Sequence, residues 1–165
     1  MSSYFQTNRD VELSTIYYLE TQIDASWSNV EVTKMMPNVG KTRVTSLPDR
    51  PIVVARLLEQ DTSRFEVGNT RLSNKYNIII DIFARSDGQR IDLAGFILDK
   101  LKDSWTYYEH SHTSGDPTSL DRSADGKILV DEFMQNRKIQ IFDNPEEFDK
   151  FRHFMSIIVR RSNFK

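Results

Sequence analysis

His110, His112 and Asp116 form the one grouping in the chain whose residue types and spacing could hold a metal ion. If His110-Ser111-His112 is extended, both imidazoles lie on one side of the backbone, and a nearby carboxylate can supply a third ligand. A metal held there would support hydrolysis. However, the neighbours Ser111, Thr113, Ser114, Gly115 and Pro117 read as a polar loop, and the third histidine, His153, falls in a segment with strand periodicity. Two solvated loop histidines are the simpler reading, so no metal, cofactor or catalytic residue is assigned, and the chain is expected not to be an enzyme.

Other motifs fail on inspection. Gly40-Lys41-Thr42 suggests a phosphate-binding loop, but the glycine required five residues earlier is Met35. Counting from Asp121, Gly126 and Glu132 match positions of a calcium-binding loop, yet Ser123 and Leu129 are poor ligands there. The following residues also alternate like a strand rather than entering a helix. No G-x-S-x-G elbow exists for a serine nucleophile. Arg152, Arg160, Arg161 and Lys165, interleaved with Phe151, Phe154 and Phe164, could meet nucleic acid, but Glu146, Glu147 and Asp149 balance them. A solvated sheet edge or a subunit contact explains that charge more simply.

The composition narrows the classes further. The 22 Lys plus Arg against 24 Asp plus Glu give a net charge of −2, so non-specific binding to nucleic acid or anionic lipid is not the default. No stretch approaches the roughly 18 apolar residues of a membrane span. The absence of cysteine removes disulfides and thiolate chemistry, which suits a reducing compartment. The start, Met1 to Gln6, has neither the basic nor the apolar part of a signal peptide, so synthesis and assembly in a cytoplasm are expected.

The elements that would position these residues follow from periodicity. Asp10 to about Ser26 reads as an amphipathic helix with Leu13, Ile16, Tyr17 and Ile23 on its buried face, preceded by a flexible tail over Met1–Arg9. Val30–Met35 alternates as a strand, and residues 36–50 form a long loop or protruding arm. Pro51 to about Gln60 is a second strand, and a shorter element contains Phe65 and Val67. In Tyr76–Ala84 one face carries Tyr76, Ile78, Ile80, Ile82 and Ala84 and the other is a mixed face of Asn77, Ile79, Asp81 and Phe83, which reads as a central strand. Ser86 and Gln89 have capping-box spacing and open a helix with Ile91, Ala94, Leu98, Leu101 and Trp105 on one face, widened by Leu93 and Ile97. Residues 110–126 read as a second long loop. Lys127–Phe133 and Arg137–Phe142 read as a hairpin turning at Met134-Gln135-Asn136, Asn144-Pro145-Glu146-Glu147 as a helical turn, and Phe151–Arg161 as a last strand. The expected fold is a single α+β domain, a mainly antiparallel β-sheet flanked by two helices, with long loops or a protruding hairpin.

Three segments carry a family resemblance: Val67-Gly68-Asn69-Thr70-Arg71, the run Tyr76-Asn77-Ile78-Ile79-Ile80-Asp81-Ile82-Phe83-Ala84, and Gly88-Gln89-Arg90-Ile91-Asp92-Leu93-Ala94. In pattern and order, from about Val11 to Arg161, the chain resembles the tail-terminator (tail-completion) and related neck proteins of tailed bacteriophages. The resemblance implies a structural virion protein, assembled in the host cytoplasm, with no catalytic residues. Its subunits, six if it follows the family, would close into a ring that caps the tail tube and meets the head-tail connector or stopper protein. DNA would pass through without specific binding, and no membrane is involved. Another neck or head-completion protein is the nearest alternative, and a metal-dependent hydrolase using His110, His112 and Asp116 is the alternative from another class. A ring needs two different contact surfaces on each subunit. Loop length and composition nominate the 36–50 arm, with Val39, Lys41 and Arg43, and the 110–126 loop, with His110, His112 and Asp116 beside Tyr107 and Tyr108 as exposed aromatic anchors.

Overall fold

The computed structural model describes residues 4–35, 48–64, 72–113, 116–139 and 150–162. Val39, Lys41, Arg43, the element at Phe65 and Val67, and the turn at Asn144 lie outside them. Along the chain come α1 (Tyr4–Asp24), β1 (Glu31–Thr33), β2 (Ile52–Arg64), β3 (Leu72–Phe83), α2 (Asp87–Lys100), β4 (Trp105–Thr113), β5 (Asp116–Ile139) and β6 (Arg152–Ser162). The strands form one curled sheet in the order β1-β2-β3-β6-β5-β4, antiparallel except for β1 beside β2. This is the expected α+β architecture.

β3 occupies an interior place because its residues can be buried on both faces. Tyr76, Ile78, Ile80 and Ile82 point to the concave side, where they meet Val53 and Ala55 of β2 and Met155, Ile157 and Val159 of β6. Val11, Leu19 and Ile23 of α1 and Leu93, Ala94, Ile97 and Leu101 of α2 complete that core, so both helices pack on one face. The opposite face of β3 buries Ile79, Asp81 and Phe83, with Val54 of β2 against Phe83.

α2 begins where the capping box predicts. The Ser86 hydroxyl accepts from the Gln89 N–H at 3.2 Å, and the Gln89 side chain accepts from the Arg85 N–H at 3.0 Å. Ser86→Ala should cost about 1 kcal/mol, measured by urea unfolding, because one helix-start N–H loses its partner. A change below about 0.3 kcal/mol would mean that water replaces the cap. The buried face differs slightly from the expected one: it runs through Arg90, Leu93, Ala94 and Ile97, while Ile91 is 53% exposed.

Several expectations need correction. The Met1–Arg9 tail is helical from Tyr4, because α1 reaches far enough for Arg9 to bind the backbone of β4. Leu13, expected inward, is only half-buried, and the inward side of α1 carries Asp10, Val11, Ser14, Thr15, Leu19 and Ile23 instead. Residues 110–113 and 116–126 are not a loop. They form most of an antiparallel ribbon in which β4 pairs with the first half of β5 from Trp105↔Ile128 to Thr113↔Asp116. The hairpin placed at Met134-Gln135-Asn136 does not exist either, since β5 runs straight through it and stays paired with β6 to Ile139↔Arg152. The three residues lack the glycine that a tight turn of this kind favours, and two register shifts, at Val130/Glu132 and Phe133/Gln135, mimic a break in alternation.

Candidate functional site: the β4–β5 ribbon and its helical clasp

β5 has 24 residues and two different partners. Its second half pairs with β6 as far as Lys127↔Ser162, and the ribbon projects past that point. Where it leaves the sheet, Thr106 pairs with Lys127 and Tyr108 with Ala124, so one residue of β4 faces two of β5. Gly126 takes the positive φ of 103° within this bulge, a conformation that costs glycine little.

The ribbon is held in place by α1. β4 is the last strand of the sheet, so its outer backbone groups need partners from elsewhere. The Tyr108 N–H donates to the Ser14 hydroxyl at 2.9 Å, and that hydroxyl lies 3.3 Å from the Tyr108 carbonyl. The His110 N–H donates to Asp10 Oδ1 at 3.2 Å, and Arg9 donates to the His110 carbonyl at 2.7 Å. Residues 10 and 14 are one helical turn apart and 108 and 110 two strand positions apart, spans of about 6 Å and 6.6 Å, so the two periodicities mesh. On its other flank α1 reaches β2, where Glu12 Oε2 accepts from the Leu57 N–H at 2.9 Å. One helix thus occupies both margins of the curled sheet, explaining why polar residues sit on its inward side.

Five of the residues nominated from sequence, Tyr107, Tyr108, His110, His112 and Asp116, fall in this region. Tyr107 is fully buried and is no surface anchor; its hydroxyl points to Asp10 Oδ2 at 3.5 Å and the Arg161 guanidinium lies 4.1 Å from its ring. Burial pushes the Tyr107 phenol far above its ordinary value. Tyr108 is half-buried and meets Tyr17 edge-on at 5.6 Å. Together with Tyr18, Thr21 and Thr106 these two tyrosines line a cleft of about 170 Å³, well below the roughly 300 Å³ at which small-molecule pockets begin.

His110 is buried, and the carboxylate it meets is Asp10 of α1: Nδ1 lies 3.4 Å from Asp10 Oδ1, close enough for an ion pair but not aligned for a hydrogen bond. Burial holds the His110 imidazole below its ordinary pKa, with Arg122 and Arg9 acting in the same sense and Asp10 opposing them. His112 stands opposite Leu120, and Asp116 opposite Thr113 at the far end of the ribbon. Among the described residues no three acidic, histidine or cysteine side chains converge on a metal position.

The contacts that sequence reasoning missed are those between elements. Arg122 of β5 places its guanidinium 4.0 Å from the Tyr17 ring, tying the second strand of the ribbon to the helix, and Arg161 of β6 forms an ion pair with Asp125. A polar i, i+4 pair, Asp10 and Ser14, inside an otherwise amphipathic helix was the available signal. At the opposite end of the sheet, the half-buried His153 accepts from Arg90 through Nδ1 at 2.9 Å and donates from Nε2 to Asn136 Oδ1 at 2.6 Å. Arginine can only donate, so this arrangement fixes His153 as the neutral Nε2–H tautomer. Its burial and the neighbouring Arg90 charge hold its pKa down. Arg90 and Lys138 both pair with Asp87 at 3.0 Å.

Taken together, the arrangement is a projecting two-stranded arm tied to α1 at its base, with exposed polar residues at Ser111, Asp121, Arg122 and Ser123. Its geometry suits contact with another surface. No family model matches this chain, and no curated protein is similar to it in sequence.

Proposed function

We propose that the chain is a structural virion protein of a tailed phage, a tail terminator whose subunits close into a ring on the tail tube and present a face to the head connector. It acts by self-association and docking rather than by catalysis. The observation that carries this reading is the β4–β5 ribbon, clasped to α1 by side chain to backbone bonds at Tyr108 and His110. A pre-ordered arm loses little conformational entropy when it docks. The α+β fold supports the reading, and a neck or head-completion protein of the same virion is the neighbouring alternative.

The test is the solution mass across a concentration series by light scattering, with electron microscopy of any large species. Ring-shaped particles are expected from the intact chain; a strict monomer that never joins tail tubes would overturn the proposal. The arm has its own test. Replacing residues 113–119 by Asn-Gly closes His112 against Leu120 with a two-residue turn, leaving the rest of the ribbon paired. That variant should unfold within a few degrees of the parent and lose ring formation. Unchanged rings would show that the tip of the arm makes no essential contact.

A further inference from the structure

A strand paired on one side only presents a row of unused N–H and C=O groups. α1 occupies the outer edge of β4 at residues 108 and 110 and that of β2 at Leu57. Among the margins of the described strands that have no strand partner are the outer edge of β1 and the side of β5 from Leu129 to Ile139, since pairing with β4 ends at Ile128.

These margins match one another in level and direction. Following the register across the sheet, Thr33 stands opposite Val54, Val54 opposite Asp81, Asp81 opposite Phe154 and Phe154 opposite Arg137. The outer edge of β1 is therefore level with residues 137–139 of β5. β1 runs parallel to β2, and three antiparallel steps then lead to β5, so β1 and β5 run in opposite directions. A second copy placed alongside in the same orientation would present its β1 antiparallel to β5, the usual pairing for a sheet to continue.

Both margins also expose apolar side chains. Exposed Asp131, Glu132, Arg137 and Lys138 line part of the β5 edge, the kind of charge that protects sheet edges, but apolar side chains interrupt them. Here Met134, the extra residue between Phe133 and Gln135 at a register shift, is 51% exposed, and Phe133 is 40% exposed. Just past β1, Met35 is 71% exposed. Met35 follows β1 in a bend, its N–H donating to the Thr33 hydroxyl at 3.1 Å, on the side of the Thr33 to Arg137 level where Gln135 and Met134 lie.

We propose that a second copy of this chain pairs its β1 edge, antiparallel, with the 133–139 edge of β5, burying Met35 against Phe133 and Met134. The contact joins two different surfaces, so it is head-to-tail and can propagate around a ring. It rests on the self-assembly reading above and names the surfaces that this reading requires.

The absence of native cysteine makes cross-linking unambiguous. Thr33→Cys and Arg137→Cys, combined in one chain and mildly oxidised, should give a ladder of covalent multimers on a non-reducing gel. Mixing the two single variants should stop at dimers, and neither single variant alone should cross-link. Self-linking of either single variant would show a two-fold contact and overturn the proposal. So would the absence of a ladder, both with this pair and with Gln135→Cys replacing Arg137→Cys, in a chain that light scattering shows to assemble. A parent chain that stays monomeric would instead overturn the ring reading itself. As an independent check, Met134→Lys at an exposed position should raise the concentration for half-assembly at least tenfold with unchanged thermal unfolding; an unchanged midpoint would count against the contact.

Discussion

Replacing Asp10 by alanine is expected to destabilise the fold by roughly 2–6 kcal/mol in urea unfolding, because it orphans two buried donors at about 1–3 kcal/mol each. Those donors are the His110 N–H and the Tyr107 hydroxyl, and Asp10 itself is fully buried. Asp10→Asn should cost less than half as much, since its carbonyl oxygen can still accept from the His110 N–H and its amide can donate to the Tyr107 oxygen. Amide exchange should show the loss locally as well. The His110 and Tyr108 N–H groups should lose protection in Asp10→Ala before the β3 amides do, because opening of the clasp exposes β4 while the central strands stay paired. A cost below about 1 kcal/mol, or uniform loss of protection, would mean that α1 is held on β4 by apolar packing alone.

Stability should also fall as the pH drops below about 6.5, the ordinary histidine value, and this loss should be carried by two residues. In the folded state His110 and His153 are both held below that value, so the unfolded chain takes up protons first. The contribution is fully present above pH 6.5 and disappears as the pH falls toward the folded pKa values. Each histidine can add a slope of at most about 1.4 kcal/mol per pH unit, the linkage limit for one proton. Asp87, held below its usual value first by Lys138 and then by Arg90, contributes only in a lower window, below about pH 4. Thermal unfolding between pH 8 and pH 5 measures the effect. His153→Gln should flatten part of the slope, since glutamine can accept from Arg90 and donate to Asn136 without titrating. An unfolding temperature that stays level from pH 8 to pH 5 would show that neither imidazole is buried in its neutral form.

The parts of the fold that could be read in the sequence are those where one face is apolar and the other is not. The alternation from Tyr76 to Ile82 gave a central strand, and Ser86 with Gln89 gave a helix start, because local chemistry alone decides both. The ribbon escaped because its strands have little buried face to impose alternation. His110, Ser111, Asp121, Arg122 and Ser123 look like a loop when only polarity is counted. β5 looked like a hairpin because the extra residues Asp131 and Met134 shift its side chains from face to face. The inward side of α1 was misplaced for a third reason: it meets strand backbone as well as apolar core, so Asp10 and Ser14 belong inside. His110 stood out by type, but its partner lies a hundred residues away, a distance that spacing rules do not cross.

One consequence of the shared strand is mechanical. β5 continues without interruption from the ribbon into the sheet, where eleven of its residues have register partners on β6. A pull on the tip directed along β5 therefore loads those pairs together, in shear, instead of peeling them apart one after another. Tension reaching the arm is passed straight into the interior strands, with α1 bracing the side of the lever. A subunit built this way can carry force along its strands.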